Sequence, residues 1–403
     1  MHIPAQKIIR VLVGIGFVGI MAALILLLYI LVRRSRPVTL PAPSGPYAVG
    51  RFLTEWTDET RQETLTSTAG HPRELTVWIW YPADPQAGAI ADRYLPKAWA
   101  QAREHARGIG SILFQSATSI HAHAVAGVPL SSTEAVYPVL FFEPGLGPAV
   151  SDYTTLLEDL ASHGYIIIAV NPTYSTSTVV FSTGRVIEQS AKGGIPDNAS
   201  VSEAKRIGDQ LLQVWVQDLV FAMDQAERLN ADPQSLLSGR MDLTRIGIFG
   251  HSFGGAAAAE VCHLDSRCQA GADLDGYPYG DVIQTSLPQP FLFMWSETSD
   301  THESHYRQAL KDVGAIYDRL ETGYQVTIKN TRHFNFTDYA VEFSPVLKLF
   351  GLLGSIDGQR GLHISSAYVL AFFDATLKNI TSPLLQGPSA DYPEVTFEAR
   401  PGG

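Results

Sequence analysis

Residues 245–256 read Arg-Ile-Gly-Ile-Phe-Gly-His-Ser-Phe-Gly-Gly-Ala, and the fold turns on them. The stretch Arg245 to Phe249 is short, apolar and followed by turn residues, which predicts a buried strand. Ala256-Ala257-Ala258-Ala259-Glu260-Val261 beyond it is a good helix start. Between the two lies Gly250-His251-Ser252-Phe253-Gly254, a G-x-S-x-G match in the strand–turn–helix setting that a nucleophile elbow requires. The turn is too tight for side chains two residues either side of the serine. Gly250 and Gly254 meet that need because they have no Cβ to clash. The serine oxygen is then presented at the carboxyl edge of a sheet. The amino terminus of the next helix stands behind it and favours developing negative charge.

Strand and helix patterns alternate on both sides of this motif. Leu75 to Tyr81, Val139 to Glu143, Tyr165 to Val170, Ala270 to Leu274, Phe291 to Trp295 and Tyr324 to Lys329 read as strands. Asp152 to His163 has helical spacing, and Arg206 to Leu229 is a long amphipathic helix. Such alternation predicts one domain built on a mostly parallel central sheet with helices on both faces, the α/β-hydrolase fold. Residues 86–130 lack clear periodicity and read as an insertion near the site or a surface excursion.

Residues 11–32 form an uncharged apolar run. As a helix it would reach about 33 Å, enough to cross the hydrocarbon core of a bilayer. Arg33, Arg34 and Arg36 follow it, where a cleaved leader would carry small residues. The expected organisation is a membrane anchor over 1–36, a Pro-rich extended linker over 37–47 and a catalytic domain over 48–403. Lys7 and Arg10 on one flank nearly balance the arginines on the other, so orientation favours an extracytoplasmic domain only slightly. The chain has 403 residues, 45% of them hydrophobic and 17% charged, with a net charge of −11. That composition suits a compact enzyme and argues against nucleic acid as a partner, because phosphate binding needs clustered Lys and Arg. Cys262 and Cys268 are the only cysteines. They read equally as a short-loop disulfide or as two buried thiols, and they are too few for a zinc site alone.

A serine hydroxyl needs a base. His333 follows a late strand and lies downstream of the serine, where this fold supplies its histidine. His363 sits near a helix start with no strand before it. His302 and His305 lie in a capped helix start that lacks the H-E-x-x-H metal spacing. The acid has competing candidates: Asp275, which ends the strand Ala270 to Leu274, and Asp300 or Glu297 past the next strand. Asp273 shares the face of Asp275 but lies deeper. The oxyanion hole should use the N–H of Phe253 and that of Leu146, the latter in the loop Pro144-Gly145-Leu146-Gly147. No metal or organic cofactor is implied.

These residues resemble the platelet-activating factor acetylhydrolase family of the plasma and intracellular type II kind. The resemblance runs over most of the chain after residue 70. It rests on Gly145-Leu146-Gly147, residues 160–170, Phe181 to Arg185, residues 242–256, residues 272–280 and residues 333–340. It implies a triad of Ser252, Asp275 and His333, since the family's acid lies in an L-D dipeptide, here Leu274-Asp275. It also implies calcium-independent release of short or oxidised sn-2 acyl groups from phospholipids. Pro144 and Asn171-Pro172 depart from the family pattern, and both are expected near the acyl side of the site. A general esterase acting on soluble short-chain esters, or a silent tethered binding module on the same fold, would share these features.

Overall fold

Adjacent residues of a strand face opposite sides of a sheet, and Phe141 and Phe142 lie in two different cores for that reason. Phe142 packs with Ile167, Phe249 and Met294, beneath residues such as Leu157 and Phe372. Phe141 packs with Ile168, Ile248 and Phe293, beneath residues such as Leu219 and Ala257. Both phenylalanines are fully buried. A sheet covered on both faces explains why these strands read as continuous apolar runs and not as alternating ones.

The computed structural model describes residues 5–400, apart from 69, 85–87, 89, 298–303, 344–347 and 349. Its strands are β1 (Val38–Thr39), β2 (Ala48–Gln62), β3 (Pro72–Ala83), β4 (Ile120–His121), β5 (Val125–Ala126), β6 (Tyr137–Glu143) and β7 (Ile166–Asn171). They continue with β8 (Thr178–Val180), β9 (Val186–Glu188), β10 (Met241–His251), β11 (Cys268–Leu274), β12 (Phe291–Ser296), β13 (Gly323–Ile328) and β14 (Val395–Arg400). The helices are α1 (Ala5–Ser35), α2 (Lys97–Arg107), α3 (Thr154–Ser162), α4 (Val201–Ala231), α5 (Phe253–Leu264), α6 (Ser304–Arg319), α7 (Tyr339–Glu342) and α8 (Gly358–Leu377). The central sheet has the order β14-β13-β12-β11-β10-β6-β7-β3-β2-β5. Neighbours from β13 through β7 pair in parallel, whereas β14, β3 and β2 join antiparallel. Helices α3 and α8 cover one face, and α4, α5 and α6 cover the other. This is the α/β-hydrolase architecture that the alternating pattern predicts. Because the central strands run in parallel, their carboxyl ends share one edge, where ligands of open α/β sheets bind.

Two segments differ from the sequence expectation. Residues 37–47 are extended, but they are not a free linker. β1 pairs with β4, Leu40 is buried, and Ser44 N–H donates to Asp159 Oδ1 at 2.7 Å. Gly45 and Tyr47 donate to the Oγ and carbonyl of Ser162. A proline-rich chain loses little entropy when it lies down on a surface, so a few anchoring bonds suffice. Of residues 86–130, the stretch from 90 onward holds α2, β4 and β5 and is folded against the start of the chain. The Arg34 guanidinium donates to the carbonyls of Ser111 and Phe114, and Arg33 donates to those of Val341 and Glu342. In α1, the stretch Leu12–Ser35 is long and apolar enough to cross a membrane, with a mean hydropathy of 2.9 and mostly exposed side chains. Cys262 and Cys268 form a disulfide that ties the end of α5 to the start of β11.

Candidate active site

Ser252 stands between the end of β10 and the first residue of α5 with φ 56° and ψ −120°, a left-handed conformation that a non-glycine residue adopts only when its surroundings impose it. The surroundings here are close-packed backbone. A Cβ on Gly250 would fall 2.2 Å from the carbonyl carbon of Gly254. One on Gly254 would fall 2.2 Å from the carbonyl oxygen of Glu143 and 2.5 Å from that of Pro144. Any side chain at either position would push the elbow off β6 or open the turn. The Ser252 N–H donates to the Leu274 carbonyl at 2.8 Å, which fixes the elbow to β11.

Asp275 is the residue just past β11, also with positive φ (59°). Its Oδ2 lies 2.8 Å from His333 Nδ1. Ser296 at the end of β12 holds the other side of the carboxylate: its N–H donates to Oδ1 at 2.8 Å, and its Oγ lies within 3.0 Å of both oxygens. Burial pushes the Asp275 carboxyl up, but the His333 hydrogen bond and charge and the Ser296 amide outweigh it. Its pKa falls below the ordinary value, so the group is ionised. The side chain of His333 is 42% exposed while that of Asp275 is 8% exposed, so the imidazole reaches from a buried anion toward solvent. His333 opens a single 3-10 turn, His333–Phe336, after β13. Asn335 steadies that turn: its Oδ1 accepts from the N–H groups of Arg332 and Gly354.

Ser252, Asp275 and His333 line one open cavity of about 400 Å³. Leu146, Ile195, Phe253, Tyr277, Tyr279, Phe334 and Leu352 supply most of its apolar and aromatic wall. The amide of Leu146 lies between two committed amides: Gly145 N–H donates to Tyr153 Oη at 2.9 Å and Gly147 N–H to the Ser175 carbonyl at 3.0 Å. Among the described residues, neither the Leu146 N–H nor the Phe253 N–H has a hydrogen-bond acceptor. Both residues border the cavity that holds Ser252.

Of the remaining candidates, those within the described residues have other roles. Asp300 and His302 are outside the described residues. Glu297 is occupied with the base of the His333 loop, its Oε2 accepting from the Asn330 N–H at 2.6 Å. His363 lies in α8 beside Tyr392. Asp273 is buried below the elbow, accepts from the Gly276 N–H, and is held by burial well above the ordinary carboxyl range. Pro144 and Asn171, expected near the acyl side, do not line the cavity. Asn171 Oδ1 is buried and accepts from Val150 N–H at 2.9 Å. Among the described residues no group of three or more His, Cys, Asp or Glu is disposed to hold a metal. The sequence reading missed Ser296, Tyr153 and Asn335, whose roles depend on contacts across the fold that no local pattern signals.

The fold and this constellation define an ester hydrolase of the α/β-hydrolase class. Solved and catalogued relatives agree. The structure superposes on a ferulic acid esterase from Streptomyces cinnamoneus with a TM-score of 0.74 and 28% identity, covering 90% of this chain and 99% of that one. Residues 32–382 match the family described as platelet-activating factor acetylhydrolase, isoform II, and the chain belongs to that family. A probable 1-alkyl-2-acetylglycerophosphocholine esterase of Arthroderma benhamiae is 30% identical over 390 residues, covering 89% of this chain and 93% of that protein. A platelet-activating factor acetylhydrolase of Cavia porcellus is 27% identical over 360 residues, covering 84% and 78%.

Proposed function

We propose that this chain is a membrane-tethered serine esterase that releases short or oxidised acyl groups from the sn-2 position of phospholipids. In this reading Ser252 Oγ attacks the ester carbonyl and His333 Nε2 takes its proton. Asp275 holds the imidazole with its proton on Nδ1 and stabilises the imidazolium. The N–H groups of Leu146 and Phe253 receive the oxyanion. His333 then returns the proton to the leaving alcohol, and water releases the acyl group by the same steps. The observation that carries the reading is the 2.8 Å bond from His333 Nδ1 to the buried, ionised Asp275, made at the mouth of the cavity that Ser252 enters on its strained turn. The names borne by the Arthroderma and Cavia relatives favour a glycerophospholipid substrate.

Helix α1 is the anchor in this reading, with the domain outside the cytoplasm, where the Cys262–Cys268 bridge would persist. Because residues 37–47 are bound to the domain, the domain is held against the end of α1 and not at the end of a free tether. A second reading, hydrolysis of soluble aromatic or short-chain esters, is favoured by the likeness to the ferulic acid esterase and by the aromatic wall of the cavity. Rates on vesicles holding a 2-acetyl glycerophosphocholine, on p-nitrophenyl acetate and on methyl ferulate separate the two. The phospholipid reading expects the highest kcat/KM on the vesicles, and a clear preference for methyl ferulate would overturn it.

A further inference from the structure

His251 lies inside the elbow motif, fully buried, and its side chain takes no part in the chemistry described above. Its Nδ1 is 2.8 Å from Tyr153 Oη and its Nε2 is 3.0 Å from the His333 carbonyl oxygen. Tyr153 Oη in turn lies 2.9 Å from the Gly145 N–H. We propose that Tyr153 and His251 are positioning residues, forming one directional hydrogen-bond relay that locks the oxyanion loop and the His333 loop onto the elbow. The inference rests on the reading of Ser252, His333 and Leu146 given above.

The direction of every bond follows from the end groups. A backbone N–H only donates, so Tyr153 Oη accepts from Gly145. A carbonyl only accepts, so His251 must carry its proton on Nε2 to donate to His333. A neutral imidazole then has its lone pair on Nδ1, and the single phenolic proton of Tyr153 donates there. One proton arrangement satisfies the whole chain, and protonating His251 would leave the phenolic proton without its acceptor. Burial first, and then the nearby His333, hold the His251 pKa well below the ordinary histidine value, although Asp275 works the other way. Neutrality matters because the His251 and His333 rings are 4.5 Å apart by centroid. A charged neighbour there would oppose the imidazolium that forms during proton transfer.

The relay also fixes distances. Gly145 approaches so closely that a Cβ on it would sit 3.2 Å from both His251 Nδ1 and Ser252 Cβ. Leu146 is the next residue, so the Tyr153 bond sets where its N–H points. At the far end the carbonyl being held belongs to His333 itself. The two groups that must meet the reacting carbonyl from opposite sides are therefore referenced to one ring, which is part of the elbow. Phe142 and Phe336 pack against Tyr153 and His251 and hold these rings in place.

The test uses the full chain and four variants: His251→Gln, His251→Asn, His251→Phe and Tyr153→Phe. Glutamine can put an N–H where the imidazole Nε2–H lies, whereas asparagine is too short to reach the His333 carbonyl. For each, kcat and KM on p-nitrophenyl acetate are normalised to the sites titrated by a fluorophosphonate, and Tm is recorded alongside. The relay predicts His251→Gln within about tenfold of the parent kcat, and His251→Asn and His251→Phe about 10²-fold lower with KM nearly unchanged, as for a catalytic group displaced by an ångström. Tyr153→Phe should lower kcat about tenfold in the same manner. Parental kcat per titrated site in all four variants overturns the relay. So do losses that merely follow Tm, with glutamine no better than phenylalanine. Ser252→Ala, run alongside, keeps the two claims apart. Its inactivity together with a fully active His251→Phe rejects the relay alone, while turnover by Ser252→Ala rejects the nucleophile assignment beneath it.

Discussion

Asp275→Asn is the substitution whose consequence follows most closely from the geometry. Asp275 Oδ1 accepts the Ser296 backbone N–H at 2.8 Å, a donor that cannot turn away. An asparagine of the same shape must keep its carbonyl oxygen on that donor, which places its NH₂ against His333 Nδ1. That nitrogen must then be an acceptor, so the imidazole proton moves to Nε2, the atom required to take the Ser252 proton. The base is held in the wrong tautomer, and the negative charge that stabilises the imidazolium is gone. The same change in a serine triad lowers kcat by about 10⁴ while leaving geometry intact, or about 5.5 kcal/mol in transition-state stabilisation. The assay is steady-state hydrolysis of p-nitrophenyl acetate by purified protein, with the far-UV circular dichroism spectrum and Tm checked against the parent. Asp300→Asn is measured in parallel and should stay within about threefold, since Asp275 is the carboxylate on His333 Nδ1. A folded Asp275→Asn enzyme within tenfold of the parent, with Asp300→Asn crippled, would refute the reasoning and move the acid to the loop after β12.

Gly254→Ala should lower both Tm and kcat. Its methyl group would fall 2.2 Å and 2.5 Å from two backbone oxygens at the start of the oxyanion loop, an overpacking worth about 1–3 kcal/mol; a variant with parental Tm and kcat would contradict the packing argument. The pH dependence of stability should differ between the parent and His251→Gln. His251 titrates in the folded state well below its ordinary 6.5, so between those values the unfolded chain binds the extra proton. Its contribution is present above pH 6.5 and is lost as pH falls. From pH 7 to 5.5 the parent should lose about 1 kcal/mol more than the variant in urea unfolding, and parallel losses would show that His251 is not held neutral.

Much of the architecture was legible because the central strands are buried on both faces and read as apolar runs, and because the elbow is written in contiguous residues. Strand β2 was not, since its exposed face carries Glu55, Thr57 and Glu59 and dilutes the apolar signal. Residues 37–47 read as an extended linker because prolines announce extension but not what the extended chain lies against. At the site, Ser252 and His333 were marked by motif and chain order. Asp275 needed family resemblance, because neighbouring strand ends offer equivalent carboxylates. Ser296 and Tyr153 lie 44 residues after and 99 residues before Ser252 in the chain. Only the parallel pairing of β11 with β12 and the packing of Tyr153 on Phe142 bring them in.

The central claim is that Ser252 is the nucleophile, and mapping the residue labelled by a fluorophosphonate probe tests it most directly. Intact protein is labelled, digested and sequenced by mass spectrometry, with esterase activity followed through the same time course. The account predicts a single adduct on Ser252, loss of activity in step with its formation, and neither label nor turnover in Ser252→Ala. An adduct on a different serine, or hydrolysis undiminished by Ser252→Ala, would contradict it.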